Sequence, residues 1–317
     1  NDAPITFPIG TTTVTWTVTD NAGNTATCTQ DVTVTDNENP TITCAADVNT
    51  TTDADDCFAT VVLAAPTTAD NCGVASVTNN APATFPIGTT TVTWTVTDNA
   101  GNTATCTQDV TVTDNENPTI TCAADVNTTT DADDCFATVV LAAPTTADNC
   151  GVASVSNNAP ATFPIGTTTV TWTVTDNAGN TATCIQDVTV IDNENPTITC
   201  AAAVNTTTDA DDCFATVVLA APTTADNCGV ASVNNNAPAT FPIGTTTVTW
   251  TVTDNAGNTA TCTQDVTVTD NENPTITCAA DVNATTDADD CFATVVLAAP
   301  TTADNCGVAS VTNNAPA

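Results

Sequence analysis

The chain lacks every basic side chain and most of the groups that carry enzyme chemistry. Its 317 residues include no Lys, Arg, His, Tyr or Met, against 36 acidic residues and a formal charge of −36. Recognition of nucleic acid phosphates, which needs Lys and Arg, is therefore excluded. Without a His or Lys base or a Tyr acid, acid–base and nucleophilic catalysis have little to work with, so we do not expect an enzyme.

A long hydrophobic run is also missing. No stretch approaches the ~18 consecutive apolar residues of a membrane span, so none is expected in this segment. The chain opens on NDAPITFP, without Met or a charged region followed by an apolar one. We expect an internal segment of something longer. Because the acidic groups can be balanced only by ions from solution or by a partner, divalent cations are the first partner to consider.

What is present is a repeat. The segment FPIG begins at Phe7, Phe85, Phe163 and Phe241, each 78 residues after the last. The polar run before Pro40 reads as a junction between domains. The expected domains are the C-terminal half of a repeat (1–39), complete repeats at 40–117, 118–195 and 196–273, and an N-terminal half (274–317).

Each half repeat would expose an open sheet edge if it stood alone. We therefore expect the chain to be a window of a longer polypeptide, or else a subunit whose tail is completed by the head of the next subunit. Either arrangement predicts self-association or head-to-tail continuation into a filament.

Alternation of side chains predicts β-structure. In Thr90–Asp98 the residues Val92, Trp94 and Val96 face one way and threonines face the other, which indicates a half-buried strand. A turn-forming loop and a second alternating segment follow, so the two form a hairpin. Shorter strands are expected at Thr41–Cys44 and Val74–Val77, and a continuously apolar one at Phe58–Ala65. With no 3.6-residue period, the fold class is all-β, as small antiparallel sandwiches of about seven strands.

Sixteen cysteines fall four to a repeat, at Cys28, Cys44, Cys57, Cys72 and onward in steps of 78. An even count, no His and no Cys-x-x-Cys pair favour disulfides over zinc or redox chemistry. Disulfides place the chain in an oxidising, extracellular compartment, either secreted or at a cell surface.

At this point the residues carry a family pattern. The order NPTITC, DADDCFATVV, PTTADNCG and FPIGTTTVTWTVTDNAGNTATC resembles the hyalin repeat, end to end in every copy. The resemblance implies immunoglobulin-like sandwiches, used in tandem and without catalysis in extracellular adhesion and matrix proteins. Typical members carry Lys, Arg and Tyr, so a basic ligand-contacting surface has no counterpart here.

The immunoglobulin-like arrangement, with first and last strands side by side, implies the disulfides Cys44–Cys106, Cys122–Cys184 and Cys200–Cys262. By elimination Cys57 pairs with Cys72, although a full strand at Phe58–Ala65 would hold them about 25 Å apart at ~3.3 Å per residue. The alternative is a disulfide between Cys57 and Cys150 of the next domain, which would join the two domains covalently. We favour the bond within the domain. The corresponding pairs are then Cys135–Cys150, Cys213–Cys228 and Cys291–Cys306.

Carboxylates interleaved with Asn amides are the oxygen ligands that calcium takes, although Asp and Asn in a single loop are ordinary turn formers. In a seven-strand sandwich the polar loops meet the linker at one junction. We therefore predict calcium at the domain junctions. The ligands expected at the first complete junction are Asp53, Asp55, Asp56, Asp114, Glu116, Asp148, Asn149, Asp176 and Asn177. Those expected at the next are Asp131, Asp133, Asp134, Asp192, Glu194, Asp226, Asn227, Asp254 and Asn255.

Two functions from different classes remain open. The first is a rod-like stalk, fibre or adhesin built by end-to-end stacking, stiffened by calcium. The second is a multivalent module that binds a glycan or a cell-surface protein. Sequons for N-glycosylation recur once per repeat, at Asn49, Asn127, Asn205 and Asn283.

Overall fold

The structure is a computed structural model that describes residues 1–315. Within those residues every regular element is a β-strand. No helix there is long and apolar enough to cross a membrane. The described chain divides into two compact units, one of residues 1–124, 142–159 and 170–186, the other of residues 125–141, 160–169 and 187–315.

The first unit contains one half repeat and one complete repeat. The strands of residues 1–39 are β1 (Gly10–Thr19) and β2 (Thr25–Val34). Those of residues 40–117 are β3 (Thr41–Thr43), β4 (Val48–Thr51), β5 (Phe58–Ala59), β6 (Thr67–Ala69), β7 (Val74–Asn79), β8 (Phe85–Pro86), β9 (Gly88–Asp98) and β10 (Thr103–Thr113).

The same eight strands recur in residues 118–195 and 196–273. The first set is β11 (Thr119–Thr121), β12 (Val126–Thr129), β13 (Phe136–Ala137), β14 (Thr145–Ala147), β15 (Val152–Asn157), β16 (Phe163–Pro164), β17 (Gly166–Asp176) and β18 (Thr181–Ile191). The second is β19 (Thr197–Thr199), β20 (Val204–Thr207), β21 (Phe214–Ala215), β22 (Thr223–Ala225), β23 (Val230–Asn235), β24 (Phe241–Pro242), β25 (Gly244–Asp254) and β26 (Thr259–Thr269). Two strands follow, β27 (Thr275–Thr277) and β28 (Thr301–Ala303).

A four-stranded sheet in the order β4, β10, β9, β7 forms one layer of the 40–117 repeat. Its centre is the predicted hairpin, in which Trp94 lies opposite Cys106. Because alternate residues of a strand share a face, Val92, Trp94, Val110 and Val112 all point inward, and all are buried. Short strand pairs, β3 with β6 and β5 with β8, form the facing layer.

The core between these layers is small and includes one satisfied polar group. Phe85 and Ala59 from the short strands pack against Trp94, Val110 and Val112. Gln108 is buried, accepts a hydrogen bond from the Trp94 indole at 3.3 Å and donates one to the Ala46 carbonyl at 2.6 Å. In the β1–β2 hairpin the equivalent Trp16 is 46% exposed, whereas Trp94 is 6% exposed. The facing layer is therefore what buries the tryptophan.

The second unit holds the 196–273 repeat with the same construction. Its sheet order is β20, β26, β25, β23, and Phe241 packs on Trp250, Val266 and Val268. Segments of the 118–195 repeat are shared between the units: β11 pairs with β14 and β15 with β17 in the first, and β12 with β18 and β13 with β16 in the second.

A disulfide joins Cys44 to Cys106 with 5.8 Å between Cα atoms, the pair that the immunoglobulin-like arrangement implies. Cys122–Cys184 and Cys200–Cys262 repeat it. Bonds of this kind add about 2–4 kcal/mol to stability. Such a contribution is large for a domain of this size and thin core.

Three expectations about the strands need correction. The strand predicted at Phe58–Ala65 ends at Ala59, because the residues that follow find no neighbouring strand to pair with. One pair in each four-stranded sheet is parallel; in the 40–117 repeat, Val48 of β4 lies beside Val110 of β10. The short strands β4, β6 and β8 were not predicted, because they are too brief to show alternation.

Candidate metal centre at the repeat junctions

Three aspartates converge where the 40–117 repeat meets the next one. Asp114 follows β10, Asp148 follows β14, and Asp176 is the last residue of β17. One carboxylate oxygen from each lies within 4.8 Å of the others. We call Asp114, Asp148 and Asp176 the junction triad. It combines one residue from the linker with two from the following repeat.

Asp176 is held by its own turn. Its Oδ1 accepts hydrogen bonds from the backbone N–H groups of Ala178, Gly179 and Asn180, at 2.9, 2.6 and 2.8 Å, and its Oδ2 accepts one from the Asn180 amide at 2.8 Å. Burial raises the pKa of the Asp176 carboxyl, but these hydrogen bonds outweigh burial and hold the pKa below its ordinary value. The side chain is 2% exposed and stays ionised.

Asp114 and Asp148 are only half satisfied. Asp114 Oδ1 accepts from the Glu116 N–H at 3.0 Å, and Asp148 Oδ2 accepts from the Cys150 N–H at 2.8 Å. Their other oxygens, Asp114 Oδ2 and Asp148 Oδ1, are buried without a hydrogen-bond partner. Asp114 is only 7% exposed. A buried unpaired carboxylate is costly, and this chain has no basic side chain to neutralise it.

The triad recurs at the neighbouring junctions. Asp192, Asp226 and Asp254 form it in the second unit, and Asp36, Asp70 and Asp98 form it at the start of the 40–117 repeat. Again one oxygen is orphaned on Asp192, Asp226, Asp36 and Asp70. The set that includes Asp36 and Asp70 was not named from the sequence. The repeat period could have predicted this set, because its three aspartates lie 78 residues before Asp114, Asp148 and Asp176.

The Asp53–Asp56 loop approaches the linker but stays outside the triad. Asp53 Oδ2 accepts from the Thr60 N–H at 2.9 Å, so this carboxylate closes its own turn. The Asp55 N–H donates to the Glu116 carboxylate at 3.2 Å, and Asp55 has a positive φ of 61°. The Asp56 carbonyl accepts from the Asn149 amide at 2.9 Å.

These contacts surround a pocket of about 240 Å³ next to the triad, lined by Asp55, Glu116, Asp148 and Asn149 among others. Asn149 Oδ1 is buried without a partner. Asn177 turns away from the triad and donates to the Cys150 carbonyl at 2.9 Å.

The next junction has the same contacts in the second unit. The Asp133 N–H donates to Glu194, Asn227 donates to the Asp134 carbonyl, Asp131 accepts from the Thr138 N–H, and Asn255 donates to the Cys228 carbonyl. The structure thus gathers Asp192, Asp226 and Asp254 and leaves the other predicted ligands around them.

The favoured Cys57–Cys72 pairing is wrong. A disulfide joins Cys57 to Cys150 of the next repeat, with 4.9 Å between Cα atoms, and another joins Cys135 to Cys228. Consequently Cys135 does not pair with Cys150, nor Cys213 with Cys228. The reason is position: Cys72 lies beside Asp36 and Asp70 at the junction before its repeat, while Cys57 lies at the junction after it.

The remaining cysteines of the described chain are thiols, and Cys291 does not pair with Cys306. Burial raises the pKa of Cys72, helped by the charge of Asp36. Burial and a contact with Cys213 raise the pKa of Cys306 to about 12. Cys213 and Cys306 are 93 residues apart, as are Cys57 and Cys150. The loops that carry Cys213 and Cys306 therefore contact each other as the loops of Cys57 and Cys150 do.

The sequon asparagines lie on the surface. Asn49, Asn127 and Asn205 belong to β4, β12 and β20, with exposed side chains. Asn283 is also exposed. Glycosylation at these positions stays a prediction.

Comparison with known proteins identifies the repeat. The family model for the HYR domain matches residues 3–34, 35–112, 113–190 and 191–268. The chain belongs to the HYR domain family. The family's spans begin five residues before frames that start at Pro40, since they place the polar linker at the start of each domain.

Two curated relatives are both named hyalin. The one from Strongylocentrotus purpuratus is 34% identical over 284 residues, which cover 80% of this chain and 23% of that protein. The one from Lytechinus variegatus is 33% identical over 271 residues, covering 80% of this chain and 51% of that protein. The matched part of the chain thus spans about a quarter of the first relative and about half of the second.

Among solved structures, similar chains include protocadherin gamma B7 extracellular cadherin domains 1–4, with 13% identity, a TM-score of 0.31 and coverage of 78% of this chain and 80% of that one. Drosophila N-cadherin EC1–4 has 9% identity, a TM-score of 0.30 and coverage of 84% and 85%.

Proposed function

We propose that this HYR array is an extracellular structural element in which calcium binds the junction triads and fixes each repeat against the next. The observation that carries the proposal is the pair of orphaned oxygens, Asp114 Oδ2 and Asp148 Oδ1, buried beside an ionised Asp176 in a chain with no basic side chain. Three like charges this close repel unless a cation lies between them.

The donor set fits calcium. Calcium takes six to eight oxygen ligands in flexible geometry, whereas zinc prefers nitrogen and sulfur. Asp114, Asp148 and Asp176 supply carboxylates, and their strands hold them in place before a cation arrives. When bound, calcium would supply the positive charge that offsets these three carboxylates across the junction.

Stiffening follows from where the ligands lie. Asp114 belongs to the linker, while Asp148 and Asp176 belong to the loops of the following repeat. A cation held by all three restricts the hinge between repeats. We propose domains at 40–117, 118–195 and 196–273, each adding a length of about 35–45 Å to a stalk or fibre. Spanning distance, rather than catalysis, is then the function, and continuation head to tail lengthens it.

The disulfides support an extracellular location, because such bonds persist in oxidising compartments. The glycan-binding alternative has no comparable observation in its favour. The pockets beside the triads are small and are lined by acidic and amide groups rather than by an apolar platform.

Thermal unfolding with and without calcium tests the proposal. Calcium at about a hundred times its Kd should stabilise each junction by ~2.7 kcal/mol and raise Tm, and EDTA should reverse the rise. The combined variant Asp70→Asn, Asp148→Asn and Asp226→Asn should lose most of this response. In EDTA the same variant should be more stable than the parent, because one repelling charge has left each triad.

The matched control is Asp55→Asn, Asp133→Asn and Asp211→Asn, which removes the same number of charges from loops outside the triads. Asn tolerates the positive φ at these positions, and the backbone contact with the linker glutamate is kept. The control should respond to calcium as the parent does. If the Tm of the parent were the same in calcium and in EDTA, the proposal would be wrong and these loops would be ordinary turns.

A further inference from the structure

The disulfides form two kinds of ring along the chain. The bonds within a repeat connect cysteines 62 residues apart, as in Cys44–Cys106. The bonds between repeats connect cysteines 93 residues apart, as in Cys57–Cys150. Because 93 exceeds the repeat length of 78, each ring of the second kind overlaps the next one of its kind.

Together the two kinds of ring cover a continuous stretch of the chain. The between-repeat rings run from 57 to 150 and from 135 to 228, so residues 135–150 belong to both. The within-repeat rings extend the coverage to residue 44 on one side and residue 262 on the other. Every peptide bond between Cys44 and Cys262 therefore lies inside at least one closed covalent ring.

The linkers depend on the second kind of ring alone. Residues 107–121 lie outside both Cys44–Cys106 and Cys122–Cys184, and only Cys57–Cys150 spans them. The linker is open to hydrolysis, since Asn115 and Asn117 are exposed between the buried Asp114 and Pro118.

We infer that the array is a covalent ladder, in which the Cys57–Cys150 type of bond keeps consecutive repeats joined after the linker between them has been hydrolysed. Between Cys44 and Cys262, severing the array needs two chemical events at one junction, cleavage of a peptide bond and reduction of a disulfide. When the array is stretched, the same disulfide carries force between consecutive repeats in parallel with the linker. This inference goes beyond the proposed function and does not depend on calcium.

The sequence offers a direct test without an engineered cleavage site. The chain has four glutamates, Glu38, Glu116, Glu194 and Glu272, and each lies in an Asp-Asn-Glu-Asn linker. A glutamate-specific endoprotease therefore cuts every linker. Thiols are blocked first, and digestion runs in urea with EDTA so that only covalent bonds hold the pieces together.

Without reductant, mass spectrometry and gel electrophoresis should find residues 39–272 as one disulfide-linked species. With reductant, the same digest should separate into fragments 39–116, 117–194 and 195–272, which also demonstrates that the linkers were cut. Release of 39–116 from the parent without reductant would overturn the inference.

Two variants separate the ring types. Cys57→Ser with Cys150→Ser should release 39–116 without reductant, because nothing else spans Glu116. Cys44→Ser with Cys106→Ser removes one disulfide from the same repeat and should leave 39–272 joined. Since the digest is made in urea, only covalent bonds decide whether the fragments stay together. Identical behaviour of the two variants would contradict the inference.

Discussion

At the scale of single residues, Asp98 and its equivalents each close a hairpin and also face a junction. Asp98 ends β9 and is 2% exposed. Its Oδ1 accepts from the N–H groups of Ala100 and Asn102, and its Oδ2 from the Asn102 amide. Burial raises its pKa, yet these hydrogen bonds prevail and lower it overall. The turn therefore stabilises the charged form, which is also the form that a cation requires.

Because the turn stabilises the charged form of Asp98, we expect the free energy of unfolding in EDTA to depend on pH. Because the folded-state pKa of Asp98 lies below its unfolded value of about 3.9, the ionised turn contributes stability that is complete above that value. The contribution is lost as the pH falls through the lowered folded pKa. Urea unfolding followed from pH 6 down to about pH 2 should show the parent losing stability in this acid window.

The variant Asp98→Asn, Asp176→Asn and Asp254→Asn isolates these groups. It should be less stable than the parent at neutral pH, because an amide accepts fewer of the turn's hydrogen bonds than a carboxylate does, and this loss outweighs the removal of one repelling charge from each triad. The difference should shrink as the pH falls and the parent carboxyls become protonated. If the stability difference between variant and parent stayed constant with pH, the ionised forms of these aspartates would not be what stabilises the parent.

At the scale of elements, Gly73 illustrates how the turns before β7 are constrained. Gly73 has a φ of +96°, and a Cβ added there would lie 2.8 Å from Asn99 Nδ2. That amide donates to the Cys72 carbonyl at 3.0 Å and so ties the β9–β10 turn to the turn before β7. Gly101 has a similar φ of +98°, with nothing within 4 Å of the added atom.

The two glycines therefore form a matched pair. Gly73→Ala and Gly101→Ala should each lose about 1–2 kcal/mol of unfolding free energy from backbone strain at positive φ. Gly73→Ala should lose more, because it also displaces Asn99 from its carbonyl. Urea unfolding of the full chain measures both. Equal losses would mean that the Asn99 contact contributes nothing.

Sequence patterns identified the elements unevenly, and the reason is physical. The β9–β10 hairpin was predicted because its alternation runs over many residues and matches a sheet with one buried face. The segment after Ala59 also alternates, since Val61 and Leu63 pack on the core while Val62 is 95% exposed. Alternation shows which side chains are buried. It does not show whether a neighbouring strand is present to complete the hydrogen bonds.

At the scale of the whole molecule, the 78-residue period predicted the repeats, which the HYR family model matches, and the structure brings carboxylates from several polar loops together where consecutive repeats meet. Which carboxylates meet was beyond the sequence, because Asp53 closes its own turn while Asp148 leaves an oxygen unpaired, and both are aspartates in polar loops. The Cys57 pairing failed for a related reason. Elimination within the repeat favoured Cys72, but Cys57 and Cys72 lie at opposite ends of their repeat, and the loops that meet at a junction decide the pairing.

The bond between repeats and the triad occupy the same loop, so their contributions should be coupled. Cys150 donates its N–H to Asp148, and Asn149 between them donates to the Asp56 carbonyl next to Cys57. The disulfide therefore holds Asp148 in position before a cation binds. Supporting interactions around a metal site typically alter affinity by about 10–100-fold.

The double variant Cys57→Ser with Cys150→Ser should accordingly bind calcium at that junction about tenfold more weakly, at the low end of that range. Isothermal titration should resolve one weakened class of site, and the calcium-induced rise in Tm should be smaller than in the parent. Cys44→Ser with Cys106→Ser also removes one disulfide, but far from the triad, so its Tm should fall with the calcium response retained. If both variants kept the parent's affinity, the bond would join the repeats without positioning Asp148, and the ladder and the cation site would act independently.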